Sequence, residues 1–176
     1  MASARRPILA AVLVLGAASA QVKTKVYGEP QACIRTYRMA AGRILTSRGL
    51  VEDPTVNKMV NDAVSVQMNA LKIGPAGKDA DLEIRFMGGN SAGLQSDDLT
   101  AGDMAVWDIG GPLASPGRTY KKSDLVIAAV DSRSNRTIWA ARCTDKFGDP
   151  AHLEERIQKA LAKAFAKFPK KLACSS

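Results

Sequence analysis

The chain has 176 residues, 46% of them hydrophobic and 24% charged, with a formal net charge of +8. That is enough apolar material for the core of one domain and excludes intrinsic disorder as its overall state. A single histidine, with three cysteines spaced at 33, 143 and 174, excludes the paired-ligand spacings of structural zinc sites.

Residues 1–20 read as a signal peptide. Arg5 and Arg6 form a positive start, Ile8 to Leu15 give an apolar stretch too short to cross a bilayer, and Ala18-Ser19-Ala20 is the small-x-small pattern of a cleavage site. No cysteine follows the apolar stretch to accept a lipid. The expectation is a chain cut after Ala20 and exported to the periplasm or beyond, with residues 21–176 forming one domain, neither lipid-anchored nor membrane-spanning. Arg5 and Arg6 are the only charges before Gln21, so the net charge of the remainder is +6. A basic exported protein meets anionic lipid, cell-wall polymer or another envelope protein rather than nucleic acid. In an oxidising compartment, one disulfide among Cys33, Cys143 and Cys174 with one thiol left over is expected, in any of three pairings; three unpaired thiols are the alternative.

Val22-Lys-Thr-Lys-Val-Tyr27 alternates apolar and basic residues, as a half-buried strand does, and Ile34 to Met39 resumes the alternation. Asp53-Pro54 supplies an N-cap and a first-turn proline. Val56, Val60, Ala63, Val64, Met68 and Leu71 then recur at helical spacing until Gly74-Pro75. Asp81 to Phe86 alternates strictly, with Leu82, Ile84 and Phe86 on the buried side. The stretch from Gly88 to Gly117 is rich in Gly, Ser, Asp and Pro, with one short strand candidate at Ala105 to Ile109. Leu125 to Asp131 and Thr137 to Cys143 form a hairpin around a type I turn. Asp149-Pro150 repeats the helix-start device, followed by a stripe of Leu153, Ile157, Leu161, Ala164, Phe165 and Phe168 that Pro169 ends. This order predicts an α+β fold: a mostly antiparallel sheet with two amphipathic helices packed on one face.

The segments Lys122 to Asp131, Thr137-Ile-Trp139 and Ala164-Phe-Ala-Lys-Phe-Pro169 resemble a bacterial envelope family catalogued as domain of unknown function 4136. Arg35-Thr-Tyr37 and Asp81-Leu82 resemble its upstream motifs. The chain departs from that pattern at Met39, where the family often has Trp, at Ala140-Ala141, where many members have Gly, and in lacking a lipid-accepting cysteine. The resemblance implies an envelope location and carries no catalytic residues to transfer.

The chemistry-bearing residues give no catalytic set, no metal set and no cofactor motif. His152 lies in the first turn of the last helix, and no serine sits in a Gly-x-Ser-x-Gly elbow. Asp97, Asp98, Asp103 and Asp108 lack the spacing of a calcium loop. Asp131, at a strand end, is placed to accept from turn amides. Trp139 is placed to cover the junction between the sheet and the stripe of Leu153, Ile157 and Leu161. Arg156, Lys159, Lys163, Lys167 and Lys170 cluster along the last helix and offer a docking face for an anionic surface; a solvated face with Glu155–Lys159 as an i,i+4 pair is the alternative. The reading favoured is a non-enzymatic envelope protein that acts by binding or structural association. A carrier of a small apolar ligand, and an enzyme built around the 88–117 loop, are the alternatives.

Overall fold

The structure, a computed structural model, describes residues 20–46, 49–89, 123–148, 150–172 and 174. Residues 1–19 of the expected signal peptide, the strand candidate at 105–109, the four loop aspartates and Asp149 lie outside these residues.

Eight described strands form one sheet: β1 (Gln21–Val26), β2 (Thr36–Met39), β3 (Arg43–Thr46), β4 (Gly49–Val51), β5 (Gly74–Pro75), β6 (Leu82–Gly89), β7 (Ser123–Asp131) and β8 (Arg136–Asp145). With helices α1 (Pro54–Ala70) and α2 (Leu153–Phe165), they make a mixed α/β fold. Strands β1, β8, β7 and β6 lie side by side and antiparallel, and β3–β4 is a further antiparallel pair. The sheet is not antiparallel throughout: β2 and β3 run parallel to β6, and β5 runs parallel to β2. The parallel pairs arise because the chain passes through α1 between β2 and β6, and a crossover of that length returns the strand in the same direction.

Asp53 caps α1, its carboxylate accepting from the N–H groups of Thr55 (2.9 Å) and Val56 (3.1 Å), with Pro54 at the first helical position. The helix ends before Gly74-Pro75. Lys72 takes a left-handed conformation (φ 60°), while Ile73 N–H donates to Met68 O and Lys72 N–H to Asn69 O. This is the Schellman closure, made with lysine where glycine is usual. It leaves Gly74-Pro75 to pair with Thr36-Tyr37. The second helix starts later than Asp149-Pro150 suggests, because Pro150–His152 forms a 3₁₀ turn first. It also ends before Phe168, where tighter bonds from Lys167 N–H to Ala164 O and Phe168 N–H to Phe165 O close the last turn ahead of Pro169.

Alternation along the strands sorts the sheet into two faces. Leu82, Ile84, Phe86, Leu125, Ile127, Ala129, Trp139, Ala141 and Cys143 share one core with Val60, Val64 and Met68 of α1 and Ile157, Leu161 and Phe165 of α2. Gly42 lies between β2 and β3 so close to Phe86 that a Cβ would stand 2.0 Å from the ring. The hairpin register runs from Ser123↔Asp145 to Asp131↔Arg136, with a bulge where Val130 pairs with Thr137 and Ala129 with Trp139. Trp139 is fully buried, and the rings it packs on are Phe165 (5.2 Å between centroids) and Phe168 (5.1 Å), at the far end of the stripe from Leu153.

Candidate functional site

The face of the sheet turned away from this core gathers cations from strands far apart in the sequence. In one row across the strands Lys25 pairs with Ala140, Ala140 with Ala128, and Ala128 with Arg85. In the next, Lys23 pairs with Arg142, Arg142 with Val126, Val126 with Met87, and Met87 with Arg43. At the usual spacing between strands, Lys25 and Arg85 stand roughly 14 Å apart across a floor of two alanines. Tyr27 packs on that floor, and Lys25 Nζ sits 4.7 Å above its ring.

The acids of this face are buried and engaged. Glu83 is paired with both Arg38 and Arg85, and its row neighbour across β2 is Arg38 itself. Burial pushes the Glu83 carboxyl up, but the hydrogen bonds and charges of Arg85 and Arg38 outweigh it and hold the group below its ordinary value. Asp124, 2% exposed, accepts from Arg142 and from the Thr144 hydroxyl. Lys23 and Arg43, both exposed, have no acidic partner among the described residues. Among the described residues this face therefore carries more cations than acids. Arg38, Arg43, Arg85, Arg142 and Tyr27 are residues that sequence spacing did not single out; the alternation of Val22 to Tyr27 had already placed Lys23 and Lys25 together.

The basic residues of the last helix and of the turns that follow it meet different partners. Arg156 reaches Asp145 at 3.1 Å, and Lys159 pairs with Glu155 one turn away. Lys163 Nζ donates to Ala20 O (2.8 Å) and Lys167 Nζ to Val22 O (3.2 Å), which brings both ammonium groups to the open side of β1. Lys170 is exposed in the 3₁₀ turn Lys170–Leu172. Lys163 and Lys167 thus meet Lys23 and Lys25 around one strand, and the basic surface runs from the edge of β1 onto the sheet.

The other chemistry-bearing groups are structural in their contacts. Cys33 and Cys174 form a disulfide, and Cys143 is a buried thiol donating to Ala160 O (3.7 Å). Burial, and next the nearby charge of Asp124, push that thiol up to about 12, so it is not a thiolate at neutral pH. Asp131 accepts from Arg133 N–H (3.3 Å) and from the Ser134 hydroxyl in the turn of the hairpin. Asp81 accepts from the N–H of Arg35 (3.0 Å) and from the N–H and hydroxyl of Thr36. Both carboxyls are pushed up by burial but held below their ordinary values by these bonds. His152 is exposed at the start of α2. No group of three or more His, Cys, Asp or Glu residues able to hold a metal occurs among the described residues, and no described helix is long and apolar enough to cross a membrane. An apolar cavity of about 190 Å³ opens at one end of the sheet, walled by Ile44, Leu45, Val56, Leu125, Phe147 and Leu153.

Comparison with solved structures finds the same fold in proteins of low sequence identity. A DUF4136 family protein from Bacteroides thetaiotaomicron is 16% identical, with a TM-score of 0.59 over 88% of this chain and 98% of that one. A dodecameric PelC from Paraburkholderia phytofirmans is 11% identical, with a TM-score of 0.51 over 89% and 99%. A PDZ domain protein from Parabacteroides distasonis is 12% identical, with a TM-score of 0.51 over 86% of this chain and 36% of that one. No curated protein matches the chain. The model of the family described as Domain of unknown function (DUF4136) matches residues 30–170, most of the sequence, and the chain belongs to that family.

Proposed function

We propose that this is an exported, non-enzymatic protein of the bacterial envelope that works by binding, and that its partner is an anionic macromolecule held on the basic face and edge around β1. One observation carries the reading: Lys23, Lys25, Arg43, Arg85 and Arg142 converge on one side of the sheet while the acids there, Glu83 and Asp124, are buried beneath arginines. Such a field raises the local concentration of anions and speeds their encounter. The exposed large apolar residues Val26, Val51 and Val66 belong to separate elements, so an extended polyanion fits the surface better than lipid insertion. Export after Ala20 is supported by the leader pattern and by the Cys33–Cys174 disulfide, which suits an oxidising compartment. The dodecameric PelC of similar fold supports association as one use of this architecture.

The test uses polygalacturonate, a polyanion without backbone amides, in place of the partner. Wild type should bind it with an affinity that falls as salt rises. Changing Lys23, Lys25 and Arg43 together to Gln should weaken binding at low salt more than changing Lys159 and Lys170. Equal binding by the triple variant and wild type would overturn the assignment. Intact-mass analysis of the exported protein should give a chain beginning at Gln21; a product retaining Arg5 and Arg6 would overturn the processing. The apolar cavity favours a second reading, a carrier of a small apolar ligand. Its volume of about 190 Å³ suits a single ring or short alkyl group rather than a drug-sized molecule.

A further inference from the structure

Strand β1 pairs with β8 and with no other described strand, so one side of it is an edge of the sheet. Tyr27 N–H donates to Ile138 O (2.8 Å), which turns the odd-numbered positions toward β8. Alternation in an antiparallel ladder therefore turns the backbone groups of Val22, Thr24 and Val26 outward. The outward carbonyl of Val22 is taken by Lys167, and before cleavage Lys163 takes that of Ala20, a residue the processed chain lacks. Covering an edge with lysine is a common defence against unwanted pairing. Here the defence stops at Val22. The outward N–H and C=O groups of Thr24 and Val26 meet no hydrogen-bonding group among the described residues, and Val26 is 50% exposed.

We propose that β1 receives an extended acidic segment of a partner polypeptide as an added strand. Its backbone bonds to Thr24 and Val26, and its carboxylates at alternate positions face Lys23 and Lys25. This rests on the anion-binding reading above and names the partner class and the mode. Two features make the match. Side chains two residues apart on a strand share a face, so acids at i and i+2 lie beside Lys23 and Lys25 on the outer side of the sheet. A second copy of β1 added to this edge would set lysine beside lysine, and like charges in opposed positions repel. The lysines thus reject a copy of the same strand and admit an acidic one.

The experiment measures fluorescence anisotropy with a short labelled peptide alternating Val and Glu, the same peptide N-methylated at alternate residues, and polygalacturonate. The unmodified peptide should bind. N-methylation should weaken it about tenfold, the effect of losing two modest hydrogen bonds. Thr24→Pro removes an outward N–H at an edge position where proline is tolerated. It should weaken the peptide similarly while leaving the thermal midpoint and polygalacturonate binding unchanged. Lys23→Glu with Lys25→Glu should transfer preference to an alternating Val–Lys peptide. If Thr24→Pro lowers the midpoint, the N-methylated peptide on wild type decides. Equal binding of methylated and unmodified peptides, or polygalacturonate binding without peptide binding, overturns strand addition and leaves the anion-binding reading standing. Failure of both probes overturns both.

Discussion

Trp139 and Asp131 sit eight residues apart on the two strands of one hairpin, and their surroundings assign them different work. The indole is fully buried against Phe165 and Phe168, so its contribution is packed apolar surface at the close of α2. Its Nε1–H has no hydrogen-bond partner among the described residues, so the polar end of the ring adds nothing to offset its desolvation. Trp139→Ala should therefore cost about 3–5 kcal/mol through lost burial and a cavity. Trp139→Phe should cost clearly less, because it keeps an aromatic body and removes the unpaired donor. Asp131→Asn keeps one acceptor oxygen for the turn amides and should cost about 1–2 kcal/mol. Urea titrations of the three variants give the comparison. Equal midpoints for Trp139→Ala and Trp139→Phe would show that ring packing is not what the residue supplies. The turn-capping role of Asp131 was legible because a carboxylate at a strand end before Ser-Arg-Ser-Asn has amides within reach. That the ring rests on Phe165 and Phe168 was not legible, since only the crossing of α2 over β8 decides which part of the stripe it meets.

At the scale of elements, the well-read segments were those with long periodic patterns. The first helix and its Asp53-Pro54 cap, the alternation of β1, β6 and the hairpin all carry six or more residues of signal. The pieces that escaped are short. Arg43–Thr46, Gly49–Val51 and Gly74–Pro75 are strands of four residues or fewer that owe their conformation to pairing with neighbours rather than to their own pattern. Gly42 shows how such a junction is fixed. Between β2 and β3 it donates its N–H to Asn57 Oδ1 of α1 (2.8 Å), while the Phe86 ring from β6 fills the space a side chain would take. Three elements thus converge on one residue without a Cβ. Gly42→Ala should force the ring or the β2–β3 connection aside at a cost of about 1–3 kcal/mol. A double variant with Phe86→Leu, which shortens the opposing side chain, should cost less than the two single effects added together. Additive losses would mean that the two positions do not compete for the same space.

Over the whole molecule, the basic face shows why a site escapes linear reading: Lys23, Arg43, Arg85 and Arg142 lie on four strands, and only the register sets them side by side. The helix lysines were visible as an i,i+4 series, but the bonds from Lys163 to Ala20 and from Lys167 to Val22 of β1 depend on where α2 lies on the sheet. Distant carboxylates make stability depend on pH. Asp81, Glu83 and Asp131 all have folded values below their ordinary ones. Below roughly pH 4 the unfolded chain binds protons that the folded chain resists, so stability present above that range is lost as pH falls through the folded values. The urea midpoint should hold from pH 7 to 5 and drop toward pH 3, with a shallower drop in Asp81→Asn; a flat profile would overturn this. A covalent link joins the ends of the fold: the Cys33–Cys174 disulfide, 141 residues apart in sequence, beside the bonds from Ile34 N–H to Leu172 O and from Cys174 N–H to Ile34 O. Closing so long a loop restricts the unfolded chain, and reducing it should cost about 2–5 kcal/mol. Those backbone bonds, and the packing of Leu172 in the core, should keep the reduced protein folded at neutral pH. Alkylation then distinguishes the three sulfurs. Folded, unreduced protein should take no label, because Cys143 is buried and held as a thiol; reduced folded protein should take label at Cys33 and Cys174, and only denaturation should add Cys143. Labelling of the folded, unreduced chain, or an unchanged urea midpoint on reduction, would show that the ends of the fold are not joined in this way.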